Sequence, residues 1–275
     1  MNIFEMLEKR EINPNGEFAR LVALFQSEWN SYRSKISLKL IINSVFNKIP
    51  VQLRQTFLSV DDLLKGVGLS EDVSYWKEWK DLFLYSEILL NLINSTRVYI
   101  DKNEEAKEIA KQIISNINVV LERTNHEWVQ IKGGYIIADK NSATTEAIEC
   151  LEEKDAELAL KMIEYNRVLL KGNLERKREI LASLANYVEP MKMLFKGTDY
   201  STLYEDSRNW VNHLNIRHNN SGNNSVPEYA KNWKSKDYEE WYDKIYHTLL
   251  VVILAKKQLE IKQEFNKLKS TGEIK

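Results

Sequence analysis

The sequence predicts a mainly α protein, a helical bundle with one small β-hairpin near residues 128–138. Three observations carry that expectation. Only 9 glycines and 4 prolines punctuate 275 residues, too few for the many turns of an all-β chain. Apolar residues recur at three- and four-residue spacing over long stretches, the period of a half-buried helix. One stretch breaks the period: EWVQIKGGYIIA (127–138) has two β-rich runs around Lys132-Gly133-Gly134, a hairpin signal.

The elements follow in order. Residues 17–49 read as two helices or one bent one, and Pro50 starts a short helix through Leu58. Ser70, followed by Glu71 and Asp72, is placed to cap a long helix running to about residue 99. Asp101 opens another helix, with Ala106, Ile109, Ile113, Ile114, Ile117 and Val120 along one side. The hairpin is too small to stand alone and should pack on helices. Helices resume at about 142–152 and 155–171, where Gly172-Asn173 is a stop signal. The charged run ERKRE (175–179) reads as a solvated face of the next helix, which Gly197 ends. Asp199 or Ser201 caps a helix to about Arg217, residues 218–235 are loop-like, and Ser235 caps a final helix of more than thirty residues. This order divides the chain into an N-terminal helical region (1–125) of recognition or regulatory type, a hairpin connector (126–140) and a C-terminal helical bundle (141–275).

Composition narrows the function classes. Hydrophobic residues at 43% and charged residues at 29% fit a folded chain with a real core. Thirty-nine basic residues face 40 acidic ones, so any nucleic-acid contact must be a local site rather than a broad basic surface. A single cysteine, Cys150, rules out a disulfide framework within the chain and fits a reducing compartment. It follows an amphipathic run and reads as a packed helix residue. The N-terminal MNIFEMLEKREIN has no signal-peptide pattern, and the longest apolar run, LLVVILA (249–255), is too short to span a bilayer. A soluble, cytoplasmic protein without membrane contact is therefore expected. No phosphate-binding G-x(4)-G-K-[ST] loop occurs, which disfavours a P-loop motor or nucleotide kinase.

The chemistry concentrates in RNWVNHLNIRHNN (208–220), which holds two of the four histidines. Histidine titrates near neutrality and can move a proton of an RNA 2′-hydroxyl. Arginine can hold a phosphate through its planar fork, and asparagine can orient both. Candidate site residues are Arg208, Asn209 and His213, together with Arg217, His218 and Asn219 one turn on. Arg208 and His213 are five residues apart and diverge by about 140° on a continuous helix. Asn209, His213 and Arg217 instead share a stripe if the helix continues. The competing structural reading is a polar helix end, where Arg217 and His218 complement the helix dipole.

The Arg208-Asn209-x-x-x-His213 string, in a helical half and close to the last long helix, resembles the HEPN superfamily. Those domains are helical bundles with an R-x(4–6)-H motif, and they include metal-independent endoribonucleases of toxin–antitoxin, abortive-infection and CRISPR systems. The resemblance covers about residues 140–270. It implies an RNA substrate, a homodimer, an antitoxin or activator, an antiviral-defence role, and no metal or other cofactor. The tyrosine that some of these toxins carry two residues after the histidine is absent, since Asn215 stands there. The alternative is a non-catalytic helical protein that dimerises or binds a partner. A nucleotide-sensing domain, a third reading, requires a closed pocket lined by Trp210 and the late aromatics.

Two further histidines pair with acids at helical spacing: His247 with Asp243, and His126 with Glu122. Neither has a third ligand, so packed histidines are expected rather than metal sites. Trp233, Tyr238, Trp241, Tyr242 and Tyr246 cluster before and within the last helix, and the helical spacing of Tyr238, Trp241, Tyr242 and Ile245 favours core packing or a dimer seam over base stacking.

Overall fold

The computed structural model describes residues 11–31, 34–131, 133–152, 155–214, 216, 230 and 232–271. The architecture is mainly α, with two small two-stranded antiparallel sheets among the described residues. The chain forms two compact units, Met1–Lys140 and Asn141–Lys275. Among the described residues, no helix is long and apolar enough to cross a membrane.

In the first unit, α1 (Pro14–Gln26) starts where Asn13 accepts a hydrogen bond from the Asn15 N–H, with Pro14 at the first helical position. It stops at Ser27, earlier than the apolar periodicity suggests. Residues β1 (Glu28–Ser31) and β2 (Ser34–Ser37) then form a hairpin in which Trp29 lies opposite Ile36. Of the two expectations for 17–49, two helices hold rather than one bent helix, but EWNS and SKIS part them as a hairpin, where Asn and Ser favour local backbone bonding over helix. The helix resumes as α2 (Leu38–Ser44), capped by the Ser37 hydroxyl. After Pro50 come α3 (Val51–Arg54) and α4 (Val60–Gly66).

The long helix does not begin at Ser70. Residues Leu69–Lys77 are non-helical, and α5 (Trp79–Ile100) starts where the Asp81 carboxylate accepts the Glu78 N–H at 2.9 Å. The 69–77 segment stays out of the helix because its side chains bond elsewhere. Glu71 pairs with Lys39 and accepts from the Tyr85 hydroxyl (2.6 Å) and the Gln26 amide (2.8 Å). Asn103, not Asp101, caps α6 (Glu104–Arg123), through the Ala106 N–H at 2.7 Å. Ala106, Ile113, Ile117 and Val120 are buried as the periodicity requires.

The predicted hairpin is β3 (His126–Ile131) and β4 (Gly134–Asp139). It packs on α5 and α6 and belongs to the first unit. The Asn91 amide brackets Tyr135, donating to its carbonyl (2.7 Å) and accepting from its N–H (2.8 Å). Gly134 allows this approach, because a Cβ there would stand 2.4 Å from Asn91 Oδ1.

The second unit contains α7 (Ser142–Glu149), α8 (Ala156–Tyr165), α9 (Leu174–Val188), α10 (Lys192–Phe195), α11 (Ser201–His213) and α12 (Ser235–Thr271). Helix α12 is the spine, with α7, α9, α10 and α11 packed along it. Ile180, Leu184, Phe195, Tyr204, Val211, Ile245, Tyr246, Leu250 and Ile253 fill the core. Gly172 takes φ +80 between α8 and α9, the left-handed conformation that glycine adopts without a Cβ penalty. Its N–H donates to Glu239 at 2.8 Å.

Candidate functional site

Helix α11 presents two faces, and the motif is divided between them. Its buried side is Tyr204, Ser207 and Val211. The helix ends at His213, with Leu214 as the C-cap, four residues before the expected Arg217. The proposed Asn209–His213–Arg217 stripe therefore does not continue as helix past His213. Arg217, His218 and Asn219 lie outside the described residues, so the NIRHNN candidate gains no geometry.

Arg208 and His213 do not converge within one chain. The Arg208 guanidinium lies over the Tyr204 ring at 5.9 Å and 3.7 Å from Glu205 Oε2. It lines a narrow crevice with Ala185, Val188, Glu189, Ser207 and Leu249, where its Nε is buried without a hydrogen bond. His213 faces a different cavity of about 360 Å³, lined among the described residues by Asp206, Asn209, Trp210, His213, Leu214, Trp233 and Trp241. This is the divergence that five helical residues impose.

The His213 ring is exposed, and its Nδ1 lies 2.7 Å from the Asn209 carbonyl oxygen. A carbonyl only accepts, so Nδ1 carries the proton and the neutral ring keeps its lone pair on Nε2. The helix thus fixes the tautomer that a proton acceptor needs. Asn209 has its structural role through its backbone, while its side chain is exposed on the cavity.

Three tryptophans wall the cavity. Trp233 stacks on Trp241 (5.9 Å between ring centroids, 10° between planes), and Trp210 meets Trp241 edge-on at 6.5 Å. Trp233 and Trp241 come from the start of α12 and the residues before it, so α11 and α12 together build the site. Asp206 was absent from the sequence candidates. Its signal was available: Asp206, Asn209, Trp210 and His213 occupy i, i+3, i+4 and i+7, one face of a helix. Trp233 and Trp241 do stand opposite that face, as the reading that pairs Trp210 with the late aromatics requires, but around an open cavity rather than a closed pocket. Tyr242 and Tyr246 do go to the core, as expected of the late aromatics.

A second titratable cluster of this unit centres on a buried lysine. Lys177 sits inside ERKRE, yet it is nearly inaccessible, 2.7 Å from Asp243 Oδ1 and 2.9 Å from Glu239 Oε1. The expected solvated face is therefore corrected at this position, because two carboxylates on α12 draw the lysine inward. Asp243 also accepts from the Tyr165 hydroxyl at 3.0 Å, and Tyr165 stacks on Tyr246 at 4.0 Å. Burial, then Asp243, pushes the Tyr165 phenol far up. Burial pushes Tyr246 up to about 12. Burial also works against the Glu239 charge, but the Gly172 N–H and Lys177 outweigh it and hold the carboxyl below its ordinary value.

The other histidine pairings change. Asp243 serves Lys177 and Tyr165, and His247 is an exposed residue in edge contact with Tyr246. His126 is buried as expected, but its neighbours are the Thr124 carbonyl (2.7 Å) and Asp139 (2.7 Å), not Glu122. Cys150 is half-buried at the end of α7, its thiol donating to the Glu146 carbonyl. Among the described residues, no group of three His, Cys, Asp or Glu side chains is placed to hold a metal ion. Comparison with protein-family models, with curated proteins and with solved structures returns no match for this chain.

Proposed function

We propose that the second unit is a metal-independent RNA endonuclease domain of the toxin or phage-defence type, with His213 as its proton-transfer residue. One observation carries the reading: an exposed histidine with its tautomer fixed by Asn209, at a cavity walled by tryptophan. In this mechanism Nε2 of His213 takes the proton of a 2′-hydroxyl. The freed oxygen attacks the adjacent phosphorus, the bond to the 5′-oxygen breaks as that oxygen takes a proton from water, and a 2′,3′-cyclic phosphate remains. The charge that develops on the phosphorane needs a cation, and Arg208 of the same chain lies in another crevice. A second copy of the chain would supply it, in keeping with the homodimer that the resemblance implies, or Arg217 would. An antitoxin or activator remains part of this proposal.

The test is cleavage of total cellular RNA in EDTA by wild type and by Arg208→Ala, His213→Ala, Arg217→Ala and His218→Ala, each checked for folding. His213→Ala is expected to lower the rate by about 10²–10⁴-fold, the usual contribution of general acid–base catalysis. Full activity in that variant removes His213 from the mechanism. A second reading, a non-catalytic helical partner-binding protein, is favoured by the placement of Arg208 against Tyr204 and Glu205. It predicts no cleavage by folded wild type, with or without divalent metal.

A further inference from the structure

We infer that the tryptophan cavity is a base-recognition subsite that takes one unpaired guanine. The inference rests on the reading of the second unit as RNA-acting, and it adds a substrate preference to it. At about 360 Å³ the cavity is near the small end of ligand pockets, roughly 300–1,000 Å³. That suits one base or nucleoside, not a folded RNA element. Its walls are Trp210, Trp233 and Trp241, and unstacked bases are commonly held against aromatic faces. Trp210 is 36% exposed, high for the largest apolar side chain in a protein, and it offers ring surface that the core does not use.

The polar groups then choose the base. Among the described residues, no lysine or arginine lines the cavity, while the Asp206 carboxylate does. A carboxylate repels a phosphate, so the part of the ligand that enters is the neutral base. Ionised Asp accepts and cannot donate. Guanine alone presents two adjacent donors, N1–H and the N2 amine, that meet both carboxylate oxygens. Cytosine and adenine set one amine beside an acceptor nitrogen, and uracil flanks its single N–H with two carbonyls. Asn209, on the same face one turn along, has an amide N–H to offer to guanine O6. His213 shares the cavity, so a base held there places its own ribose and 3′-phosphate near Nε2.

The experiment is calorimetric titration of the full chain in EDTA with guanosine, adenosine, cytidine and uridine. Guanosine is expected to bind at least about tenfold tighter than the others, the discrimination of one good bidentate base contact. Asp206→Asn, which keeps the shape and removes the charge, should lose about tenfold for guanosine and little for adenosine. Trp210→Ala should weaken guanosine binding by about tenfold, with Trp210→Phe restoring part of it. Equal binding of all four nucleosides, no binding by folded protein, or an unchanged Asp206→Asn overturns the inference. Failures separate cleanly. RNA cleavage without guanosine selectivity sinks the subsite and leaves the ribonuclease standing. Selective guanosine binding without cleavage supports the subsite and counts against the ribonuclease.

Discussion

Replacing Lys177 by methionine should destabilise the second unit by about 2–4 kcal/mol near neutral pH. Methionine keeps the length of the buried stem and removes only the ammonium. Two charge-assisted contacts go with it, at 2.7 Å to Asp243 and 2.9 Å to Glu239, each worth roughly 1.5–3 kcal/mol. The side chains of Asp243 and Glu239 remain 46% and 23% exposed, so water covers part of the loss and brings the sum of roughly 3–6 kcal/mol down to about 2–4 kcal/mol. Glu239 gives the pH dependence. Its folded-state value is lowered, so its contribution is present above the ordinary glutamate value of about 4.3 and is lost as pH falls through the folded value. Wild type should therefore lose part of its advantage over Lys177→Met as the pH falls below the ordinary glutamate range. Two units need not unfold together, so hydrogen exchange of the α12 amides in rising urea is the suitable assay. Lys177→Met with Glu239→Gln should recover part of the loss, because one of the two uncompensated carboxylate charges is gone. A single variant as stable as wild type at pH 7, or a gap unchanged at pH 3, would show that the cluster is not electrostatic in origin.

Three other outcomes follow from the structure. Asn91→Ala should cost the first unit about 2–4 kcal/mol, because it strips partners from both the N–H and the carbonyl of Tyr135. Gly134→Ala should weaken the same junction, since the new Cβ meets Asn91 Oδ1. Thermal melts monitored by circular dichroism read both, and unchanged melts would dissociate the hairpin from the stability of α5. Cys150 should react with iodoacetamide at pH 7.5 more slowly than a free cysteine, because burial pushes its thiol up. A faster reaction would mark it as an activated thiol.

The fold was legible where periodicity was strong and blurred where side chains bonded to the backbone or to each other. The helix bearing Ala106, Ile113 and Ile117 was visible because one apolar face repeats for five turns. The second hairpin was visible through its Gly-Gly turn. The first hairpin was hidden because Trp29 and Ile36 also fit a helical face, and its Asn and Ser residues were too few to outweigh that period. The 69–77 segment misled for another reason. Ser70-Glu71-Asp72 has the composition of a helix start, yet Glu71 is committed to Lys39, Tyr85 and Gln26, partners 14 to 45 residues away. ERKRE repeats the lesson, because only the fold could show that α12 brings two carboxylates to Lys177. At Glu71 and at Lys177 the local signal was real and a long-range polar contact overrode it.

The motif shows the same limit in the opposite sense. Sequence spacing alone separated Arg208 from His213 by about 140°, and α11 keeps them apart, the arginine against Tyr204 and the histidine beside Trp210. A single chain thus holds half of an Arg/His pair in an accessible place. That narrows what the ribonuclease reading must explain. It requires a cation from outside this face of α11, and it leaves the cavity's own groups, a carboxylate, an amide and three indoles, with no part in stabilising a phosphorane. Those groups are suited to a base. Under the ribonuclease reading the division of labour is positional: the cavity would fix the nucleotide, His213 would move its proton, and an arginine that this helix alone does not deliver would meet the phosphate charge.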